Sequence, residues 1–411
     1  MPTIRVPAEL CTRCKGYRRL CGLPECPLLQ RFRAQIYVAR RLRGRETAGS
    51  TPPTVIVGEK GYPRVSLFYS VPPNVFGEEA KIYDDPVNWW GKLGLDQILE
   101  LRSSMVTGFD VLHIQKDLDK LYRSEIAFAA VSTKPVDSEI KLKYEPIPRI
   151  EFSDRVKPLS LIARAEDIRV TSNPRVDRAL DKVYEDDVPA FDAIVELYRR
   201  GVDVYTIQRA LSLGLLGRKL TRKLVPTRWA ITAVDRTISR YLLSQLRGSD
   251  TVNTSTLYYV EYLGNRFWIL IEPGKYEVIW IEVWHPSSFY HMGDKVVTIY
   301  NKERISGNVE FMDGGFEAAK LGVLEHLYRL GRQAKVYIVR EVLPSYYAPV
   351  GNWHIRESVR RALGSNPIAQ NITVEEAIEI ISQTSAHAAE ALKNLITKTC
   401  VLSLNFFIKR S

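Results

Sequence analysis

Three short runs rich in β-branched and aromatic residues stand out in the second half of the chain, at 257–262, 266–271 and 276–284. Asn265 and the pair Pro273-Gly274 fall between them, where tight turns would connect neighbouring strands. The pattern therefore predicts three strands that form an antiparallel meander. Shorter apolar runs predict further strands at 55–57, 65–69, 126–134 and 334–339.

Apolar residues spaced three and four positions apart predict helices in the rest of the chain. The last helix opens at Thr373 and Glu376, whose spacing matches a capping box, and is predicted to run to about 398. Other helices are predicted at 84–101, 173–199, 207–216, 230–246, 316–330 and 354–363. The predicted fold class is α+β, with an amino-terminal four-cysteine metal-binding module, a mixed α/β body with an antiparallel sheet, and a helical carboxy-terminal region.

The composition narrows the class of protein. A chain of 411 residues, 45% hydrophobic and 26% charged, is typical of a soluble globular protein with two or three domains. No apolar run approaches the roughly 18 residues that span a bilayer. The first ten residues lack the apolar core of a signal peptide, so a membrane or secreted protein is not expected.

Four of the five cysteines lie close together near the amino terminus. Four thiolates suit tetrahedral zinc and leave no open position for a substrate, so a structural zinc site is expected. An iron–sulfur cluster also takes four thiolates and is the main alternative. Two disulfides would need an oxidising compartment, to which nothing in the chain points. The predicted ligands are Cys11, Cys14, Cys21 and Cys26.

The cysteines lie in a strongly basic segment. Between Arg5 and Arg45 there are eleven Lys or Arg residues and only two acidic ones, against a formal net charge of +11 for the whole chain. This favours binding to a polyanion, most simply nucleic acid, although a solvated charged surface is an equally good interpretation. Arg40, Arg41 and Arg43 are the predicted phosphate contacts here.

Several short strings follow one another from Cys11 to Arg361. They are Cys11-x2-Cys14-Lys15-Gly16, Cys21-Gly22, Cys26-Pro27, Pro52-Pro53, Val57-Gly58, Gly61-Tyr62-Pro63, Asp85-Pro86 with Trp89, Lys134-Pro135-Val136-Asp137, Val225 to Trp229 with Ile231 to Asp235, Arg332-Gln333-Ala334, and Val350-Gly351 with Trp353, Arg356-Glu357 and Val359-Arg360. In this order the strings resemble the archaeal Nre family of DNA repair proteins. The resemblance implies an archaeal, cytoplasmic protein with a role in the DNA damage response and a carboxy-terminal motif for the sliding clamp.

The predicted domains combine this resemblance with the element pattern. They are a basic zinc-binding module at 1–45, an Nre amino-terminal-type α+β domain at 46–280, an Nre carboxy-terminal-type α/β domain at 281–398, and a tail at 399–411.

Polar and aromatic residues within or near these strings are the candidate functional residues. Arg, Lys and the N–H groups after two glycines would hold phosphate, Trp would stack on a base, and Asp or His would transfer protons. The alternatives are a structural Arg228–Asp235 ion pair, a core tryptophan and an ordinary helix start. The candidates for phosphate or base binding are Lys134, Arg228, Trp229, Gly314, Gly315 and Arg356, and those for catalysis are Asp137, Asp235 and His354.

Three functions are consistent with these residues. The first is a DNA repair protein that binds DNA or a nucleotide-bearing ligand and docks on the sliding clamp. The second is an enzyme acting on a nucleotide or modified nucleic acid in a cleft lined by Lys134, Arg228, Asp235 and Arg356. The third is a scaffold without nucleic-acid contact. The six scattered histidines form no His-Glu-x-x-His pattern, and the Walker, dinucleotide-binding and Gly-x-Ser-x-Gly motifs are lacking.

The tail partly matches a peptide that binds the sliding clamp (PCNA), over 401–408. Leu404 and Phe407 fit the pattern, Phe406 lies one position early, and Val401 stands where the pattern has glutamine. A strand or a core segment is the alternative. Adjacent phenylalanines are costly to expose unless a partner covers them, so a weakened clamp peptide is expected.

One zinc ion per chain is the first testable prediction. Metal analysis of anaerobically purified protein should find zinc, and iron with labile sulfide would contradict this. Cys14→Ser should unfold about the first forty residues and spare the rest, because metal binding supplies the folding energy of such a module.

Overall fold

Two mixed six-stranded sheets, each accompanied by helices, form the described part of the chain. The computed structural model describes residues 44–147, 160–288, 294–309 and 311–408, with side chains as far as 397, and single residues at 18, 26, 38, 39 and 42. The chain divides between Tyr241 and Leu242 into two compact units. None of the described helices is long and apolar enough to cross a membrane.

The first unit contains a sheet whose strands run in the order β1-β5-β6-β4-β3-β2. Strand β4 is parallel to β6, and the other pairs are antiparallel. The predicted strands at 55–57 and 65–69 are confirmed. The strands are β1 Glu46–Thr51, β2 Val55–Val57, β3 Arg64–Val71, β4 Val106–His113, β5 Val136–Leu142 and β6 Leu161–Val170.

Eight α-helices belong to the described part of this unit or lead out of it. The helix predicted at 84–101 is two helices, and so is the one predicted at 173–199. The helices are α1 Pro86–Trp89, α2 Leu95–Ser103, α3 Leu118–Arg123, α4 Ile126–Ala130, α5 Arg178–Glu185, α6 Ala190–Arg199, α7 Val204–Ser212 and α8 Thr227–Leu246, with 3-10 helices at Gly77–Asp84 and Lys219–Thr221.

The strand predicted at 126–134 is wrong, because helix α4 occupies its first half. A short apolar run has the same composition in a buried strand as in a buried helix, so periodicity alone does not separate them. Four of the five residues of α4 are buried, three of them alanines, which have the best intrinsic helix propensity.

In the second unit the strand order is β10-β9-β11-β8-β7-β12. Strands β7 and β8 form a hairpin as predicted, but β11 lies between β8 and β9, antiparallel to the first and parallel to the second. The third predicted strand, β9, is present but does not pair with β8, so the predicted meander is wrong at that pairing. The strands are β7 Thr256–Tyr262, β8 Asn265–Glu272, β9 Glu277–Trp284, β10 Val297–Arg304, β11 Lys335–Val342 and β12 Ala369–Gln370.

Burial explains the position of β11. Seven of its eight residues are buried, as are seven of the eight in β9 and six of the eight in β8. A strand buried on both faces belongs in the interior of a sheet covered by helices on each side. Alternation along β11 puts Arg340 and Glu341 on opposite faces.

Helices cover both faces of this sheet. The capping box at Thr373 and Glu376 is confirmed, but its helix ends at Ser382 and a new helix follows. That last helix continues to Ile408, so the backbone of 401–408 is helical instead of forming a strand. Helices α9 and α10 lie on the Arg340 face and α11 and α12 on the Glu341 face; they are α9 Gly314–Leu330, α10 Trp353–Leu363, α11 Val374–Ser382 and α12 Ala386–Ile408.

A buried charged cluster joins α9 to β10. The Lys320 ammonium lies 2.7 Å from a Glu303 carboxylate oxygen and 2.8 Å from one of Glu317, and all three side chains are almost completely buried. The Tyr276 hydroxyl donates to Glu303 over 3.1 Å. Loss of one partner would leave an uncompensated buried charge, so this cluster ties the helix to the sheet.

Candidate functional site

Two large aromatic side chains lie exposed next to each other in the first unit. Tyr62, in the loop between β2 and β3, is 40% exposed, and Trp229, in the first turn of α8, is 50% exposed. Their ring centroids are 5.5 Å apart with the planes tilted by 42°. Exposed aromatic rings of this kind offer stacking surfaces to planar ligands.

The start of α8 is fixed against β2 by one hydroxyl. The Thr227 side-chain oxygen accepts the backbone N–H of Val57 at 2.9 Å and lies 3.0 Å from the hydroxyl of Ser212. The β2–β3 loop turns back where the Arg64 N–H donates to the Gly61 carbonyl over 2.9 Å, and Gly61 has a φ of +87°, which favours glycine. These contacts bring Trp229 against Tyr62.

Exposed basic residues stand next to the two aromatic residues in the chain. The Arg228 side chain is 69% exposed and forms a 3.2 Å ion pair with Glu59. Lys60 and Arg64 are exposed in the β2–β3 loop. An exposed ion pair contributes at most about 1 kcal/mol, so a phosphate can replace Glu59 at little cost. We call Lys60, Tyr62, Arg64, Arg228 and Trp229 the aromatic–basic surface.

Asp235 does not belong to this surface, although it lies seven residues from Arg228 on the same helix. It is fully buried, and the Gln208 side-chain amide donates to its carboxylate over 2.9 Å. Arg228 pairs with Glu59 and not with Asp235. The structural ion pair considered from the sequence is therefore wrong, and so is a core position for Trp229.

Lys134 and Asp137 lie at the start of β5. Lys134 is exposed, and its backbone N–H donates to the Ser132 hydroxyl. The half-buried Asp137 carboxylate accepts a hydrogen bond from Ser50, while its backbone N–H donates to Ser172 over 2.9 Å. Asp137 thus fastens β5 to β1 and to the segment after β6.

Gly314 and Gly315 open α9, where Asp313 supplies the N-cap. Its carboxylate accepts the N–H of Gly315 at 3.1 Å and that of Phe316 at 3.3 Å. Burial raises the pKa of the Asp313 carboxyl above its usual range. The N–H groups predicted to hold phosphate are already bonded to the chain's own carboxylate, which a ligand would have to displace.

His354 is buried within a polar cluster on the α9–α10 side of the second sheet. One of its ring nitrogens lies 2.7 Å from the Gly351 carbonyl and the other 3.3 Å from Arg340. Arg340 also donates to Glu282 over 2.7 Å and to the Asn265 amide oxygen. Burial, reinforced by the Arg340 charge, lowers the pKa of His354 from 6.5 to about 3, so the ring is neutral.

The cluster shows what the sequence missed. Asn265 and Glu282 come from the consecutive strands β8 and β9, whereas Arg340 comes from β11, far along the chain, and no local spacing announces their contact. Arg356, close to this histidine in the family string, is also buried.

The remaining candidates fall wholly or partly outside the described residues. These are Cys11, Cys14 and Cys21, the cations Arg40, Arg41 and Arg43, and the side chains of Leu404, Phe406 and Phe407. Cys26 is described and is partly buried. Among the side chains that the structure describes, no group of three or more His, Cys, Asp or Glu could hold a metal ion.

Comparisons with known proteins extend over nearly the whole chain. The model for the amino-terminal region of archaeal Nre matches residues 20–291, and that for the carboxy-terminal region matches 301–403. The chain is 33% identical to DNA repair protein NreB of Archaeoglobus fulgidus over 378 residues, covering 91% of this chain and 93% of that protein. No solved structure matches it.

Two further relatives cover similar lengths. DNA repair protein NreA of Archaeoglobus fulgidus is 33% identical over 363 residues, which are 87% of this chain and 89% of that protein. DNA repair protein NreA of Haloferax volcanii is 32% identical over 379 residues, 89% of each chain.

The buried histidine predicts an acid-dependent loss of stability. Because the folded-state pKa of His354 is about 3, below its ordinary 6.5, the unfolded chain binds a proton first as the pH falls. Between pH 7 and pH 5 this residue should lower the free energy of unfolding by about 2 kcal/mol. Urea titrations of wild type and His354→Gln at both pH values measure the difference. An equal loss in the two proteins would contradict the assignment.

Proposed function

This chain belongs to the archaeal Nre family, and on that premise we propose that it is a DNA repair protein that binds nucleic acid through the aromatic–basic surface. Relatives named as DNA repair proteins align with about nine-tenths of the chain, which supports the first part. The exposed Tyr62–Trp229 pair beside Arg228 is the observation that carries the second.

The chemistry of the surface suits unpaired nucleotides. A base stacks on the exposed ring of Trp229 or Tyr62, since every base has an aromatic face whatever its sequence. Arg228 exchanges its Glu59 partner for a phosphate, and Lys60 and Arg64 add positive charge alongside. Such binding is independent of sequence and weakens as the salt concentration rises.

The amino-terminal segment would add further phosphate contacts. In this proposal, zinc held by Cys11, Cys14, Cys21 and Cys26 orders the segment, and Arg40, Arg41 and Arg43 bind the DNA backbone. The support is the excess of basic residues between Arg5 and Arg45.

An enzymatic cleft has less support. Arg228 is at the surface while Asp235 and Arg356 are buried. Two surface clefts of about 340 and 360 Å³ lie in the first unit, and neither is lined by any of the four residues proposed for catalysis or binding in such a cleft.

Truncation of the tryptophan provides the direct test of the proposed surface. Trp229→Ala should weaken binding of a single-stranded oligonucleotide about tenfold, because stacking of one base contributes about 1–3 kcal/mol. Arg228→Ala should reduce the slope of log affinity against log salt by about 0.7. Fluorescence anisotropy over a range of salt concentrations measures both effects.

Matched control variants show whether the loss of affinity is specific to this surface or follows from removing any exposed aromatic residue or arginine of the first unit. Tyr144 is another exposed aromatic residue of the first unit, at 57%, and Tyr144→Ala should leave affinity unchanged. Arg169, paired with Asp167 at 2.6 Å and similarly exposed, is the control for Arg228. All four variants should keep the wild-type melting temperature. Equal affinity of Trp229→Ala and wild type would remove the surface from the proposal.

Docking of the tail on the sliding clamp stays a prediction. The predicted clamp peptide, 401–408, has a helical backbone. Positions 401, 404 and 408 fall on one face of α12, with Phe407 beside them. A chain truncated after Lys398 should lose binding in a titration with the cognate clamp, and Leu404→Ala with Phe407→Ala should weaken it. Leu402→Ala, off this face, is the control. Equal binding by full-length and truncated protein would refute docking.

A further inference from the structure

A short turn between α7 and α8 carries a leucine that is almost fully exposed. Leu220 is 96% exposed and is the middle residue of the 3-10 helix Lys219–Thr221. We call residues 217–223 the basic turn, because Arg218, Lys219 and Lys223 are exposed along it. An isolated apolar side chain at a surface is common and by itself indicates no function. The contacts that fix the backbone of this turn distinguish Leu220 from such a residue.

A buried arginine holds the turn from beneath. Arg222 is only 7% exposed. Its guanidinium lies 4.9 Å from the centroid of the Tyr184 ring and donates to the Tyr184 carbonyl at 2.6 Å. Its Nε donates to the Gly217 carbonyl at 2.8 Å. One side chain thus ties the beginning of the turn to the end of α5.

Backbone hydrogen bonds fix the same turn from the outside. The Lys219 N–H donates to the Asp187 carboxylate over 2.7 Å, and the Thr221 N–H donates to the Arg218 carbonyl over 2.9 Å. Leu220 lies between these two bonded residues. The backbone on both sides of Leu220 is therefore fixed, because Lys219 is bonded to Asp187 outside the turn and Thr221 is bonded to Arg218 within it.

The turn itself carries only positive charges, and two nearby carboxylates, those of Glu185 and Asp187, are both engaged with Lys219. Arg218 and Lys223 are exposed on either side of it, and Lys219 adds a third positive charge, 3.5 Å from Glu185. That ion pair is exposed and therefore weak, so a phosphate can replace the carboxylate. An apolar tip between cations is the combination by which proteins wedge open base steps while holding the flanking phosphates.

The basic turn also adjoins the aromatic–basic surface. The Ile114 N–H donates to the Pro63 carbonyl at 3.1 Å, and the Leu224 N–H donates to the Ile114 carbonyl at 2.8 Å. Three backbone segments therefore lie next to one another, with Pro63 after Tyr62 at one end and Leu224 at the other.

We propose that Leu220 is a wedge that inserts between base pairs of duplex DNA at a mismatched or otherwise weakened pair. Arg218, Lys219 and Lys223 hold the phosphates on either side of the inserted leucine. This inference rests on the proposed function and narrows its substrate to duplex DNA with a weakened pair. Unstacking costs least where pairing is already lost, so the wedge confers preference for such sites without reading sequence.

The test compares matched and mismatched duplexes of one length, each with 2-aminopurine beside the central pair. Wild type should bind the mismatched duplex about tenfold more tightly and raise its fluorescence as the base unstacks. Leu220→Ala should lose both the preference and the fluorescence rise while keeping the wild-type salt slope, because no charge has changed. Its melting temperature should stay the same, since the removed atoms are exposed.

Two further variants separate the wedge from the charges. Arg218→Ala with Lys223→Ala should lower the salt slope by nearly two while keeping the preference for the mismatch. Leu330→Ala, at an exposed leucine of the second unit, should behave as wild type.

The outcomes distinguish this inference from the function on which it rests. Binding of DNA by wild type, with the same mismatch preference and fluorescence in Leu220→Ala, overturns the wedge and leaves the proposed function standing. Failure of wild type to bind any DNA overturns both. Loss of the preference in Leu220→Ala alone supports the wedge.

Discussion

The aromatic–basic surface of the first unit depends on the hydrogen bonds of one hydroxyl, that of Thr227. It accepts the N–H of Val57 and meets the Ser212 hydroxyl, so strand β2, helix α7 and helix α8 converge on one atom. Without it, the Val57 N–H would lose its partner, at a cost of about 1–3 kcal/mol if buried. The start of α8 would also lose the contact that orients it, and Trp229 would no longer be held against Tyr62.

The second unit uses buried charge for a different purpose. Arg340 and Glu341 are neighbours on β11, yet Arg340 joins Glu282, Asn265 and His354 on one face while Glu341 accepts from His285 and Ser385 on the other. Each face of the sheet is therefore tied to its helices by hydrogen-bonded charges as well as by apolar packing. Removing one partner would leave a buried charge uncompensated. The cluster around His354 consequently serves as a structural tie between sheet and helix.

The two proposed DNA contacts of the first unit would each combine two kinds of interaction, which differ in their dependence on salt. Stacking on Trp229 and insertion of Leu220 depend on apolar and aromatic surface, which salt affects little. The cations beside them, Arg228 on one side and Arg218 with Lys223 on the other, act through the phosphates and are strongly salt-dependent. Affinity and preference for a weakened base pair would therefore be separable, and a protein built in this way would search duplex DNA by charge and recognise damage by lost stacking.

The sequence by itself determined the family, the hairpin of β7 and β8, the capping box at Thr373 and most helices, because each depends on residues close together in the chain. It also pointed to Arg228 and Trp229, though not to their partners Glu59 and Tyr62. Tertiary structure decided that β11 lies between β8 and β9, that Asp235 is buried while Arg228 is exposed, and that Leu220 is exposed on a turn bonded to the buried Arg222. The physical reason is the same in each case. Strand order, burial and the pairing of charges depend on which distant segments exclude water together, and no local pattern of residue types specifies that choice.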